Sequence, residues 1–255
     1  MNKLAGILLG VTMPNYLLFF FAWFAGGFIN NITGFGAALV AMPFVATSIP
    51  LEIAVPASTL IVLTLNLQVS WNYRKYIRWK NLRYLFIGGV FGTAMGVLLM
   101  KNVGNETLKL GMGLFMIAYA AYSLFTKDST RKPINPRWGV LAGFASTTLG
   151  ALFGFNGPPL AIFVSCTKWP QEAAKGILGS CFVMTGTTIL LGQVLAGVQN
   201  IQTLAYYAAG CPGALIGGAI GLFISRYLSQ QTYNRITLLL VIVSGASISL
   251  SCFNS

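Results

Sequence analysis

The residues of this chain that could do chemistry are small and uncharged, and they gather in two glycine-rich strings, TGFGAAL at Thr33 to Leu39 and GFNGPPL at Gly154 to Leu160. Each string interrupts a long apolar run and is followed by a new helix, near Ala37 in the first case and near Pro158 in the second. Proline suits a first helical position because its missing N–H would be unpaired there anyway. A helix start carries free N–H groups and about half a positive charge. Two such ends facing one cavity make an anion site without a cationic side chain. Polar side chains with no surface role lie nearby: Asn30, Asn31 and Thr33 around the first break, Thr147, Thr148 and Asn156 around the second. Ser58, Thr59 and Ser180, about two turns into the helices that follow, are placed to line the same cavity. The expected substrate-binding set is therefore Asn31, Thr33, Gly34, Gly36, Ala37, Ser58, Thr59, Asn156, Gly157, Pro158 and Ser180. Against it stands a plainer reading, in which the hydroxyls bond their own helix backbone and the glycines only permit close packing.

Other chemistries have little to work with. The chain has no histidine, which excludes His-based triads, zinc clusters of the His type and metalloprotease helices. The four cysteines, Cys166, Cys181, Cys211 and Cys252, show no CxxC spacing and read as small apolar packing residues. Glu52 and Glu172 each follow a proline by two residues, Pro50 and Pro170, so they fit the first turn of a helix, where a carboxylate favours the N-terminal dipole, better than a proton relay. Lys175, three residues after Glu172, is placed to pair with it or to attract anions. With no GxSxG string and no paired membrane carboxylates, an enzyme is not expected, nor is a cofactor or a metal.

The elements that must position these residues are membrane helices. Of 255 residues 56% are hydrophobic and only 8% charged, against roughly 25% charged in soluble proteins. The expected fold class is all-α, a polytopic membrane protein. Apolar runs at about 51–73, 84–100, 107–126, 171–197, 202–225 and 232–252 are each near spanning length. The runs at about 14–50 and 138–169 hold the two breaks and read as hairpins, with arms of roughly 13 to 18 residues, some of which fall short of a hydrocarbon core about 30 Å thick. Met1 to Met13 resembles a signal peptide but lacks a small-residue cleavage site, so an uncleaved end is expected.

Positive charge sets the orientation. The segment WNYRKYIRWKNLRY carries Arg74, Lys75, Arg78, Lys80 and Arg83, and TKDSTRKPINPRW carries Lys127, Arg131, Lys132 and Arg137. Both should be cytoplasmic by the positive-inside rule. Counting crossings from there adds Lys168, Lys175, Arg226 and Arg235, so 13 of 16 bases fall inside and only Lys3, Lys101 and Lys109 outside. The net charge of +12 is thus a topology signal, with anionic lipid as a contact and nucleic acid not expected as a partner. Both termini are expected to be extracytoplasmic.

The same count makes the two halves inverted copies: an N-terminal repeat over 1–126, a cytoplasmic linker at 127–137 and a C-terminal repeat over 138–255. Setting residue n against n+120 from Gly34 to Ala54 gives seven identities in 21 positions, among them Gly34 with Gly154, Phe35 with Phe155 and Pro50 with Pro170. An offset of 121 pairs Gly92 and Gly96 with Gly213 and Gly217. The strings GGVFGTAMG and GALIGGAIG, with glycines four apart at Gly88, Gly92, Gly96 and at Gly213, Gly217, Gly221, predict close-packing faces, within one protomer or between two in a homodimer. Inverted repeats with an interrupted helix at the same place in each half point to a secondary transporter with its site at the repeat interface.

At these residues the sequence resembles the TauE/SafE sulfite-exporter family. Gly34, Gly36, Pro43, Pro50 and the string Ala57-Ser58-Thr59 match its first-half pattern. GFNGPPL resembles its Gly-Gly-Pro-Pro form with Asn156 replacing one glycine, and Gly179-Ser180 stands where a Gly-Thr-Ser string is usual. Ala37 and Ala38 stand where glycines are common, which narrows the cavity. The resemblance implies a multi-pass permease of the bacterial inner membrane that moves sulfur-containing anions such as sulfite, sulfoacetate or other organosulfonates, usually outward.

The function expected on these grounds is alternating-access transport of a small anion, bound at the midplane between the two break-point helix ends, as one half rocks against the other. An anion leaving a cell with a negative interior gains about 2.3 kcal/mol per charge per 100 mV, so uncoupled, potential-driven export is the expected mode. The rivals are an anion channel of the same architecture and a proton-coupled anion importer.

Overall fold

A computed structural model describes residues 13–34, 36–72, 74–76, 79–125, 135–166 and 171–224. The described residues form nine α-helices: α1 (Met13–Thr33), α2 (Ala37–Ala46), α3 (Leu51–Asn72), α4 (Trp79–Asn102), α5 (Asn105–Phe125), α6 (Gly139–Phe153), α7 (Gly157–Ser165), α8 (Gln171–Leu195) and α9 (Ile201–Ile224). Short 3-10 turns at Arg74–Tyr76 and Pro136–Trp138 precede α4 and α6. The all-α polytopic class is as expected. Four helices hold segments long and apolar enough to cross a membrane: Leu51–Trp71, Leu82–Asn102, Gly176–Leu195 and Ile201–Ile224. Their outward faces are apolar, with Phe91 67%, Leu98 59%, Leu191 58% and Phe223 64% exposed, surface that only lipid or protein would cover favourably. The expected helix at 232–252, the N-terminal segment, most of the 127–137 linker and the C-terminus lie outside the described residues.

Both interrupted runs break where expected, but the arms are unequal. The 21 residues of α1 would span ~31 Å and the ten of α2 only ~15 Å, about half a hydrocarbon core. In the second hairpin α6 has 15 residues and α7 nine. Helix α4 begins at Trp79, five residues before the expected 84, because no proline or glycine interrupts the charged residues ahead of its apolar stretch.

The glycine strings pack within the protomer. A Cβ on Gly88, Gly92 or Gly96 of α4 would fall on the backbone carbonyls of Val140, Phe144 or Thr148 of α6. A Cβ on Gly213, Gly217 or Gly221 of α9 would fall on those of Phe20, Phe24 or Phe28 of α1. Both pairs run parallel, since numbers rise together along each contact. The carbonyl sets differ by 120 (20, 24, 28 against 140, 144, 148) and the glycine sets by 125 (88, 92, 96 against 213, 217, 221). The packing register is therefore one turn away from the 121 offset drawn from sequence, where any two glycines four apart align equally well. The hydroxyls of Thr147 and Thr148 tighten the α4/α6 contact, donating to the carbonyls of Gly89 at 2.9 Å and Gly92 at 3.1 Å.

Helices α3 and α8 cross in antiparallel fashion at the centre. Ser70 meets Ser180 at 3.2 Å between hydroxyl oxygens, Leu63 lies against Gly186, and Gln193 donates to Thr59. The short arm α2 is buried along nearly its whole length, and a core that includes Met42, Ile49, Leu51, Met112, Met116 and Phe155 holds it against α3 and α5. Among the described cysteines, Cys181 is buried, Cys166 and Cys211 are half-buried, and none is in a disulfide.

Candidate functional site

Each break is built by a glycine in a conformation that other residues resist. Helix α1 ends where Gly34 turns to φ 84° and donates its N–H to the Asn30 carbonyl at 2.7 Å. Helix α6 ends the same way: Gly154 sits at φ 78° and donates to the Gly150 carbonyl at 3.0 Å. These are left-handed C-caps, for which glycine pays no Cβ penalty. Two residues on, the breaks diverge. Gly36 has φ 98°, whereas Asn156 has φ −108°, a value open to any residue, which accounts for asparagine standing in a glycine's place.

The two tips meet. Asn30, Gly36, Ala37, Ala38 and Leu39 from the first hairpin and Phe155, Asn156 and Gly157 from the second enclose one cavity, completed by Val62 and Asn66 of α3 and Phe182 of α8. It leaves ≈ 10 Å³ for the centre of a water, room for about one molecule. Most of the walls are buried: Asn30, Leu39, Asn66 and Phe182 are each 2% exposed and Asn156 5%, while Gly36 is half-buried.

The two helix starts supply different numbers of donors. At α2 the N–H of Val40 already bonds the Gly36 carbonyl at 3.2 Å, which leaves those of Ala37, Ala38 and Leu39 without an acceptor in their own helix. At α7 the first three residues are Gly157, Pro158 and Pro159, and proline has no N–H, so Gly157 alone presents a donor. Both ends contribute dipole, but the hydrogen-bonding capacity is mostly on α2. The second tip is instead stiffened. Asn156 donates its side-chain amide to Thr185 at 3.1 Å, and its carbonyl accepts the Ser146 hydroxyl at 2.7 Å.

Of the expected site residues, Gly36, Ala37, Asn156 and Gly157 line the cavity. Gly34 shapes the first tip, and Pro158 fixes the start of α7. Asn31 points instead at Gly218 of α9, where an added Cβ would strike its amide nitrogen. Ser58 donates to the Ala54 carbonyl at 2.6 Å and to the Met42 sulfur at 3.0 Å. Thr59 donates to Val55 at 3.0 Å, and Ser180 to Gly176 at 2.8 Å. These three hydroxyls thus each bond a carbonyl of their own helix. The side chain of Thr33, and those of Glu172 and Lys175, lie outside the described set. Glu52 is exposed in the first turn of α3, where a carboxylate favours the dipole.

The reading from sequence missed Asn66. It sits inside the long helix α3 with no break beside it, so only its polarity could have drawn attention. Two atoms of the cavity-lining residues are buried without a hydrogen-bond partner: the amide nitrogen of Asn30 and the amide oxygen of Asn66.

Comparison with known proteins places this architecture. The sequence profile described as Sulfite exporter TauE/SafE matches residues 19–248. The chain belongs to that family. Both breaks, all nine described helices beyond the start of α1, and every cavity residue fall within the TauE/SafE match. A relative from Cupriavidus necator named "Probable sulfite/organosulfonate exporter TauE" is 24% identical over 238 residues, covering 91% of this chain and 92% of its own. No solved structure matches. Membership in the TauE/SafE family makes this a multi-pass membrane transporter, consistent with the four long apolar spans among its described residues.

Proposed function

We propose that the protein exports a small sulfur-containing anion, sulfite or an organosulfonate, by alternating access around the cavity where the two hairpin tips meet. The observation that carries this reading is the convergence of Ala37 and Gly157, first residues of two helices 120 positions apart, on one small cavity. Two N-terminal dipoles and the free N–H groups of α2 favour an anion there with no buried cation to balance. The name of the Cupriavidus necator relative supports sulfite and organosulfonates as the substrate class. A space for one water is too small for any of these anions, so the cavity must widen to load and unload. That favours a carrier over an open channel.

The helix directions support inverted repeats: α3 and α8, equivalent under the 120-residue offset, are antiparallel, and the α4/α6 contact repeats as α9/α1. They also support different moving bodies from the sequence halves. Each long hairpin arm is pressed backbone to backbone on a helix of the other half, so the units that rock are α1 with α9 and α4 with α6, and the antiparallel α3/α8 pair is the seam between them.

The test is sulfite efflux from proteoliposomes under an imposed potential. The expected result is saturable flux with counterflow, faster when the anion moves toward the positive side. Flux indifferent to potential and driven by a pH gradient would replace this reading with proton-coupled transport; flux that never saturates would replace it with a channel.

A further inference from the structure

The cavity holds one group that an anion site has no use for. Asn30 and Asn66 are both 2% exposed, and both line the space between the two helix starts. The Asn30 amide nitrogen is an unpartnered donor, as expected beside an anion. The Asn66 amide oxygen is an unpartnered acceptor. Its orientation is fixed, because the amide nitrogen of Asn66 donates to the Val62 carbonyl at 2.8 Å and an exchange of nitrogen and oxygen would set two acceptors together. Val62, one turn earlier, lines the same cavity.

A sulfonate or a fully deprotonated oxyanion offers acceptors only. Held by Asn30, Ala37, Ala38, Leu39 and Gly157, it would leave the Asn66 oxygen desolvated and facing negative charge. An anion that retains one hydrogen satisfies every group at once: its oxygens take the N–H donors and its O–H reaches Asn66. A site built to hydrogen-bond a substrate hydroxyl rejects analogues lacking it, since the buried partner is then left unpaired.

Resting on the anion-carrier reading above, we infer that Asn66 makes the site selective for a monoanionic oxyacid that keeps one O–H, such as hydrogen sulfite, over the sulfite dianion and over acceptor-only sulfonates. Asn66 is then the specificity-determining residue, and the charge translocated per cycle is one.

Calorimetric titration of the purified full chain in detergent with sulfite and with methanesulfonate tests this. Sulfite is used at mildly acid pH, where the monoanion dominates, and at alkaline pH, where the dianion does; methanesulfonate does not titrate over this range and reports any change in the protein itself. The expected result is hydrogen sulfite bound about tenfold or more tighter than either alternative. In N66L the three affinities should converge to within about threefold. Methanesulfonate or the dianion binding wild-type protein as tightly as hydrogen sulfite would overturn the inference while leaving the anion site standing, as would a preference that survives in N66L. Were N66L not to fold, the wild-type comparison alone decides. No binding of any probe to wild-type protein would overturn both readings.

Discussion

Gln193 donates its side-chain amide to the hydroxyl of Thr59 at 3.1 Å, joining α8 to α3 across 134 residues of chain. The bond is the buried link in a neutral, partly buried chain. Gln199 donates to the Gln193 side-chain oxygen at 3.0 Å and toward the Pro56 carbonyl at 3.4 Å, and Thr203 donates to the Gln199 side-chain oxygen at 3.1 Å. This network closes one end of the α3/α8 seam. At the opposite end, among the described residues, the Ser70 and Ser180 hydroxyls meet at 3.2 Å.

Replacing Gln193 with leucine should therefore destabilise the protein more than replacing Thr64 with valine. Gln193 is fully buried, and its loss removes both its buried bond to the Thr59 hydroxyl and the acceptor of one Gln199 N–H, at a cost of about 1–3 kcal/mol. Thr64 shares a half-buried hydroxyl pair with Tyr207 at 3.1 Å, so water can step in. Thermal unfolding in detergent should fall by several degrees for Q193L, at about 2–4 °C per kcal/mol for a chain of this size, and by less for T64V.

Glycine faces give a sharper contrast. In G92A and G217A the new methyl group meets the backbone carbonyls of Phe144 and Phe24, which cannot swing aside as a side chain can. Folded yield by size-exclusion chromatography should drop severely in both. Gly104, with nothing within 4 Å of an added Cβ, should accept alanine with no loss.

At the breaks, strain and crowding separate. G36A puts a side chain at φ 98° in open space, the nearest atom being Ile29 Cγ2 at 3.9 Å, so its cost is the left-handed penalty of about 1–2 kcal/mol. G154A adds contacts at 3.3 Å with the Met42 side chain and 3.4 Å with Ser58 Cβ to a φ of 78°. G36A should remain folded yet lose most sulfite flux, because relief of the strain turns the α2 tip away from the cavity. G154A should be the less stable of the two by thermal unfolding.

Much of this arrangement was legible in the sequence, and the limits have physical causes. The breaks were visible because positive φ demands glycine, and Gly34 and Gly154 advertise it. Asn66 was invisible because a lone polar residue in an apolar helix looks the same whether it faces a cavity or its own backbone. Ser58, Thr59 and Ser180 bond their own helices for the related reason that a hydroxyl's i−4 carbonyl is always within reach, whichever way the helix turns. The two prolines after Gly157 were read as a helix start, which is right, while the donors they remove were overlooked.

Orientation itself is open to direct measurement. In a background with the four native cysteines replaced, K75C in the exposed turn before α4 should react with an impermeant maleimide only from the cytoplasmic side, and G104C in the exposed turn before α5 only from outside. Labelling of both from the same face would invert or refute the assigned topology.

The exchange of helices between halves also bears on how the protein is made. The carbonyls of Phe20, Phe24 and Phe28 find their glycines at Gly213, Gly217 and Gly221, 193 residues later along the chain. The first hairpin therefore leaves the ribosome long before the helix that grips it exists, and must wait in the bilayer with its partner surface uncovered. A chain cut within residues 127–137 should yield two fragments that are degraded alone but rescue one another when synthesised together, since the α1/α9 contact then joins the two pieces.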